Sequence, residues 1–219
     1  MVNSESALQA IKIYLAEKRK YRQQATHVRL QTLPEAWHRL QDFEEVKLQP
    51  GAAIELRSTD STCCFIVPLV GKITVSTAES KVIDVGEIYC VGPQAQPGHI
   101  ANNYKTEWVS FLMWRIRDAY PQNNMCAEFD LEREKNQLFQ IMGNLNPASV
   151  TIRLGMFEGR SSGILRTPDA QHFIVVIAGA FEVQNRLLQQ GDALQVPDCA
   201  HLEFEALSTN AILLVISQT

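Results

Sequence analysis

The chain has 219 residues, of which 46% are hydrophobic and 20% are charged, an ordinary composition for one large globular domain or two smaller ones. Its formal net charge of −4 argues against direct binding of nucleic acid, because phosphates require a basic surface. No apolar run approaches the roughly 18–20 residues that cross a membrane as a helix, so no membrane association is expected.

The amino-terminal segment places its charges after its apolar stretch, whereas a secretory signal has the reverse order. Its basic cluster, EKRKYR at 17–22, is interpreted as solvated surface. The five cysteines are odd in number and form no Cys-x-x-Cys pair, a pattern typical of reduced thiols. We therefore predict a cytoplasmic protein.

A first group of short strands is predicted in the first half of the chain. LQPGAAI at 48–54 is a strand followed by a turn, and FIVPLVGKITV at 65–75 and KVIDVGEIYCV at 81–91 follow it. These runs are rich in Val, Ile, Leu and Phe and are bounded by Gly, Pro, Asn and Asp, which is typical of strands. The group ends near a single histidine, His99.

An aromatic segment, EWVSFLMWRI at 107–116, comes next. Trp108, Phe111 and Trp114 recur every three residues, which does not match one face of a strand. We predict that they pack in the core and between domains. The following residues, 118–147, are rich in Pro, Asn and charges and are predicted to be a linker, in which Asp130 caps a short helix.

The second half repeats the first. HFIVVIAGAFEV at 172–183 and RLLQQGDALQV at 186–196 align with the earlier strands when Gly71 is set on Gly179 and Gly86 on Gly191. Internal repetition of this kind indicates two copies of one structural unit. The sequence thus predicts an all-β protein with two tandem barrels, one at 1–117 with a leading strand and one at 148–219.

This pattern resembles the cupins, and its two-copy form resembles the pirin-like and quercetinase-like bicupins. The opening segment KIYLAEKRKYR is similar to the amino-terminal strand and turn of pirin-related bacterial proteins. The resemblance implies jelly-roll barrels, and a divalent metal wherever the ligands are present. In such proteins the first motif provides His-x-His and the second a further His, and in pirins the second motif is His-x-Glu.

The first barrel departs from that ligand pattern. Arg57 and Thr59 stand where His-x-His is expected, and Ala101 stands where the glutamate would follow His99. One imidazole cannot hold a metal, so no metal is expected in this barrel.

The second barrel has Leu165 and Thr167 at the His-x-His positions. Three candidate ligands remain there: His172, His201 and Glu203. Leu202 and Phe204 alternate with the last two. Burial of apolar side chains should therefore turn His201 and Glu203 towards solvent. No metal is expected here either.

Two functions are compatible with these residues. The first is a metal-free, pirin-like bicupin that binds a small molecule or acts as a regulatory protein, with a protein partner or a homodimer as further possibilities. The alternative is a quercetinase-like dioxygenase with a divalent transition metal at an atypical site in the second barrel.

Overall fold

The computed structural model describes residues 11–33, 35–56, 61–93, 97–118, 123–143, 149–199 and 201–219. The strands of the first half are β1 (Lys12–Tyr14), β2 (Lys20–Gln23), β3 (His27–Gln31), β4 (Leu40–Leu48), β5 (Ala53–Leu56), β6 (Thr62–Val70), β7 (Ile73–Ser76), β8 (Ser80–Ile83), β9 (Glu87–Val91), β10 (Gly98–Ala101) and β11 (Val109–Arg117). The later strands are β12 (Met125–Glu128), β13 (Phe139–Met142), β14 (Val150–Phe157), β15 (Ser162–Leu165), β16 (Ala170–Ala178), β17 (Ala180–Val183), β18 (Arg186–Gln189), β19 (Ala193–Cys199), β20 (Leu202–Ala206) and β21 (Ala211–Gln218). The predicted all-β class is confirmed.

The strands form two antiparallel barrels, each made of a large and a small sheet. In the first barrel a seven-stranded sheet, β12-β9-β6-β11-β4-β3-β2, accompanies a four-stranded sheet, β5-β10-β7-β8. In the second, a six-stranded sheet, β1-β19-β16-β21-β14-β13, accompanies β15-β20-β17-β18. Each barrel encloses its own apolar cluster of side chains between its two sheets.

Equivalent turns connect equivalent strands in the two barrels. Gly71 and Gly179 follow β6 and β16 with φ of 72° and 74°, and Gly86 and Gly191 precede β9 and β19 with φ of 93° and 86°. Residues that carry a side chain rarely adopt this left-handed backbone conformation, so glycine is favoured at each turn. The two glycine pairs that align in the sequence repeat thus lie in equivalent turns.

The two large sheets pack against each other through a shared apolar core. Trp114 of β11 stacks on Phe43 and on Phe65, with ring centroids 5.5 Å apart in both pairs. Phe173 of β16 reaches across to Phe43 at 5.4 Å. Alternate residues of β16 face the shared core and the barrel interior, so its continuous apolar run is buried on both faces.

The boundaries of the two barrels differ from the simple division of the sequence at 117 and 148. Strand β1 pairs with β19 of the second barrel, and Asp192 accepts a hydrogen bond from the backbone N–H of Ala16 at 2.7 Å. The stretch that the sequence predicts to be a linker contains two strands. β12 extends the first barrel beside β9, and β13 extends the second beside β14.

The short helix predicted at Asp130 is a single capped turn. The Asp130 carboxylate does accept the backbone N–H groups of Glu132 and Arg133, at 3.0 and 3.2 Å. The turn stops at Asn136, whose φ is 60° and whose N–H donates to the carbonyl of Met156. Across the described ranges, no helix has the length and apolar character needed to cross a membrane.

The aromatic segment is divided among three environments. Trp114 lies in the shared core, as predicted, and Phe111 lies inside the first barrel. Trp108 is 47% exposed, so its predicted role in packing is wrong. It precedes the first residue of β11, Val109, and is not held by the sheet.

Candidate functional site

A cleft of about 550 Å³ opens in the first barrel, between the β2–β3–β4–β11 side of the large sheet and strand β5. We name it the amino-terminal cleft. Its charged lining side chains are Arg22, Arg29, Asp42, Glu44, Glu55 and Arg115. Three arginines and three carboxyl groups therefore share one cavity.

Strand register explains why these side chains converge. Arg22 of β2 stands directly opposite Arg29 of β3, and Gln31 of β3 stands directly opposite Glu44 of β4. Directly opposed residues of an antiparallel pair project from the same face, and residues two apart share a face. Arg22, Arg29 and Glu44 thus point to one side of the sheet, the side that lines the cleft.

A β-bulge brings a second carboxylate to the third arginine. The pairing of β4 with β11 shifts its register between Glu44 and Gln41. Asp42, whose φ is 47°, lies in the bulge at this shift. Arg115 of β11 donates from Nη1 to Asp42 Oδ2 at 3.3 Å.

Glu44 forms the buried floor of the cleft. It is 6% exposed, and Arg29 donates from Nη1 to its Oε1 at 2.6 Å. Burial raises the pKa of the Glu44 carboxyl, although the positive charges of Arg29 and Arg115 oppose that change. Burial also lowers the pKa of the neighbouring His27, and Arg29 lowers it further.

The predicted ligand positions of the first barrel are only partly described. Arg57 and Thr59 lie outside the described residues. His99 is exposed on the outer face of the small sheet, opposite Glu55 and Ser76, whereas the adjacent Ile100 is buried inside the barrel. Ala101 shares the outward face of His99.

Inside the second barrel, His172 is fully buried in a hydrogen-bonded chain. Its Nε2 lies 3.1 Å from Thr167 Oγ1 and its Nδ1 lies 3.0 Å from Ser217 Oγ, while Arg153 Nη1 lies 3.4 Å from the same Ser217 oxygen. An arginine only donates, so Ser217 accepts from Arg153. We expect Ser217 to donate its own proton to Nδ1 of His172, which would place the ring proton on Nε2, next to Thr167.

His201 and Glu203 lie on the outside of the same barrel. Their side chains are 53% and 56% exposed and approach each other at 3.2 Å, between Nε2 and Oε1. Leu202 and Phe204 are 0% and 5% exposed and belong to the barrel core. The predicted alternation is confirmed. The three candidate ligands do not converge, because His172 points inward and the other two point outward.

His99 and His201, the histidines that follow the repeated strands of each half, do not occupy equivalent positions. Val75 stands opposite Ile100 in the first barrel, and Val183 stands opposite Phe204 in the second. Since Val75 and Val183 correspond in the repeat, His99 corresponds to Glu203. His201 lies two residues earlier along the chain, before β20 begins.

Comparison with known proteins supports a cupin architecture. Residues 149–216, nearly the whole second barrel, match the family described as the quercetinase C-terminal cupin domain. The bacterial pirin YhhW from Escherichia coli, solved in complex with nickel(II), resembles this chain with a TM-score of 0.80 and 11% identity, over 95% of this chain and 98% of that one. The chain has a pirin-type bicupin fold.

Two further structures share the bicupin fold. YhaK from Escherichia coli has a TM-score of 0.66 and 17% identity, over 95% of this chain and 93% of that one. Quercetin 2,3-dioxygenase from Acinetobacter baumannii has a TM-score of 0.64 and 10% identity, over 82% and 74%. No curated protein sequence matches the chain. The predicted resemblance to pirin-like and quercetinase-like bicupins is confirmed.

Corresponding interior positions of the two bicupin halves carry different chemistry. Cys64 of β6 corresponds to His172 of β16, counted from Gly71 and Gly179. The residues opposite them are Arg115 in the first barrel and Ser217 in the second. Two residues further along the paired strands, Glu44 corresponds to Arg153 by register. Each barrel thus has a polar cluster at the same place.

The polar positions of the first barrel were not found from the sequence. Glu44 and Arg115 lie on β4 and β11, outside the repeated phrases and their expected ligand positions. Arg115 is a charged residue in the largely apolar strand β11, whereas Glu44 lies among other charged residues of β4. Only the strand register shows which of these positions point inward.

The donor chemistry of the described residues does not fit a bound metal. No group of three or more His, Cys, Asp or Glu side chains among them is placed to hold an ion. Cys64 lies beside Arg115, and burial raises the pKa of its thiol to about 12, so in the metal-free protein this thiol is protonated at neutral pH. Cys63 and Cys64 are adjacent on β6 and face the shared core and the barrel interior respectively.

Proposed function

We propose that this bicupin binds a small molecule in the amino-terminal cleft and does so without a resident metal. The observation that carries the proposal is the cleft itself. It brings buried and half-buried charged groups, Glu44, Arg29 and Arg115, to one cavity. Its volume lies within the range of about 300–1,000 Å³ that is usual for small-molecule sites.

The contrast between the two barrels supports this location. The interior of the second barrel is occupied by apolar side chains and by the hydrogen-bonded chain around His172. The polar groups of the first barrel instead face an open cavity. Charged side chains are seldom kept in a barrel interior unless they are paired or contact a ligand.

The alternative, a quercetinase-like dioxygenase, stays a prediction. It rests on the similarity to the quercetinase C-terminal domain and to a quercetin dioxygenase structure. Its proposed ligands in the second barrel are separated, with His172 inside and His201 and Glu203 outside. A regulatory role, a protein partner and a homodimer also stay predictions.

One set of measurements tests the proposal. Calorimetric titration of a panel of neutral and anionic small molecules should identify binders whose affinity falls at least tenfold in Arg29→Ala and Arg115→Ala. Arg160→Ala is the matched control, because it removes an arginine that is 83% exposed on the second barrel. Binding that survives both cleft variants would contradict the proposed site.

The metal is tested separately. Protein purified without added metal should contain no stoichiometric transition metal and should consume no oxygen with flavonols. Stoichiometric metal, with flavonol-dependent oxygen uptake that disappears in His172→Ala, would favour the dioxygenase.

A further inference from the structure

The arginines of the amino-terminal cleft are arranged at an electrostatic cost. Arg22 and Arg29 stand directly opposite each other, with both side chains on the cleft face. Like charges directly opposed across two strands destabilise the sheet. Arg115 adds a third positive charge from β11. An anionic ligand would relieve this repulsion, whereas a neutral one would not.

The guanidinium groups keep donors available for such a ligand. Each guanidinium has five N–H donors. Arg29 contacts Glu44 through Nη1, and Arg115 contacts Asp42 through Nη1. Among the described residues Arg22 makes no ion pair or side-chain hydrogen bond. The remaining donors match the two oxygens of a carboxylate, which arginine binds in a bidentate manner.

Glu44 competes with any anion for the same arginines. Seven charged or titratable groups belong to its surroundings in the cleft and barrel wall, one or two from each packed element: Arg22 of β2, His27 and Arg29 of β3, Asp42 of β4, Glu55 of β5, Cys64 of β6 and Arg115 of β11. Burial raises the pKa of Glu44, so this carboxyl takes up a proton more readily than an exposed glutamate does. The added negative charge of a bound anion would raise that pKa further.

We propose that the amino-terminal cleft binds small organic acids through Arg22, Arg29 and Arg115, and that Glu44 takes up a proton when the acid binds. This inference rests on the proposed function and names its ligand class. Proton uptake removes one of the three negative charges of the cleft and frees Arg29 from its ion pair. The bound carboxylate then takes the place of the Glu44 charge.

The sign of the pH dependence follows from linkage. If binding takes up a proton, affinity increases as pH falls. The increase is at most about tenfold for each pH unit, the limit for one coupled proton. It ends once Glu44 is already protonated in the unliganded protein.

The experiment uses malonate and phthalate as probes, with malonamide and phthalamide as neutral counterparts of similar shape. Titration calorimetry in two buffers that differ in ionisation enthalpy gives the number of protons taken up by the wild-type chain. We expect the acids to bind at least tenfold more tightly than the amides, with uptake of a substantial fraction of one proton at neutral pH. This measurement on the wild type requires no variant.

Two variants assign the proton. Glu44→Gln should bind the acids more tightly at pH 8 and should lose the proton uptake. Asp42→Asn is the matched control, because it also removes one carboxylate but from a side chain that is 52% exposed, and it should keep the proton uptake. Thermal melts establish that both variants are folded.

The outcomes separate the inference from the proposed function. Amides that bind as tightly as the acids, with binding lost in Arg115→Ala, would overturn the ligand class and leave the cleft as the site. Acid binding without proton uptake would overturn the role of Glu44. Failure of both acids to bind at millimolar concentration would overturn the inference as a whole. Acid binding unchanged in Arg29→Ala and Arg115→Ala would overturn the proposed function itself.

Discussion

Arg29 and Glu44 form an ion pair at the floor of the amino-terminal cleft, with Nη1 and Oε1 2.6 Å apart. The pair is mostly buried, and burial raises the pKa of Glu44 despite the nearby arginines. The desolvation of a buried carboxylate thus exceeds its attraction to its partner, as is common for ion pairs inside proteins.

This balance predicts how stability depends on pH. The pKa of Glu44 is higher in the folded chain than in the unfolded chain, so the folded state binds the proton more tightly. Ionisation of Glu44 therefore lowers the free energy of unfolding as pH rises from the ordinary pKa of glutamate, about 4.3, through the higher pKa of Glu44 in the folded chain. We expect the free energy of unfolding of the wild type, minus that of Glu44→Gln, to decrease over this window in urea denaturation. A difference that increases with pH would contradict the prediction.

The second prediction concerns β20, in the small sheet of the second barrel. Leu202 is fully buried, and its replacement by alanine should cost about 2–5 kcal/mol in the free energy of unfolding. Glu203→Ala on the outward face should change it by less than about 0.5 kcal/mol. Urea denaturation of the two variants measures both values. Equal losses in the two variants would show that the strand face is assigned incorrectly.

These residues also show how far the sequence leads. The alternation of Leu202 and Phe204 with polar neighbours was sufficient to predict which residues are buried, because strand periodicity and burial act over a few residues. The partner of a strand is not local information. The equivalence of His99 with Glu203 depends on which residues of β7 and β17 lie opposite, and a shift of one residue reverses the face of every side chain.

The amino-terminal cleft shows the same limit. The repeat and its glycine turns predicted two barrels, since such turns have strong local signals. Arg22 and Glu44 are far from the repeated phrases, and only the pairing of β2, β3 and β4 brings them to one face. The exchange of β1 into the second barrel was also missed, because a short strand carries no sequence signal for its distant partner.

The third prediction uses two glycines with similar backbone conformation. A Cβ at Gly179, where φ is 74°, would lie 2.3 Å from Ser208 Oγ and 2.9 Å from Ala211 Cβ. A Cβ at Gly51, where φ is 68°, would have no atom within 4 Å. Gly51→Ala should therefore cost only the left-handed strain of about 1–2 kcal/mol, while Gly179→Ala adds overpacking of about 1–3 kcal/mol. Thermal or urea denaturation measures the difference, and equal costs would exclude the contact as its cause.

The fourth prediction concerns the exchanged strand β1. The Asp192 carboxylate accepts hydrogen bonds from the backbone N–H groups of Ala16 and Gln189, at 2.7 and 2.8 Å. Asp192→Ala should destabilise the chain by about 1.5–3 kcal/mol and accelerate hydrogen exchange at β1. Tyr14→Phe is a milder comparison, because it removes only the hydrogen bond from the Tyr14 hydroxyl to Gln195. Unchanged exchange at β1 in Asp192→Ala would show that this carboxylate does not hold the strand.

The last prediction concerns the hydrogen-bonded chain inside the second barrel. Ser217 accepts from Arg153, and we expect it to donate to Nδ1 of His172, so its replacement by alanine should leave a buried ring nitrogen and a guanidinium donor without this partner. Unmet hydrogen-bonding groups in a barrel interior cost about 1–3 kcal/mol each, so Ser217→Ala should lower the free energy of unfolding by at least that amount. Ser162→Ala is the matched control, because Ser162 is exposed on the outer sheet and its loss should be nearly neutral. Nitrogen NMR of His172 should show the Nε2–H tautomer in the wild type, since Nδ1 accepts from Ser217. A wild type with the Nδ1–H tautomer, or a Ser217→Ala variant as stable as Ser162→Ala, would contradict the direction of the chain.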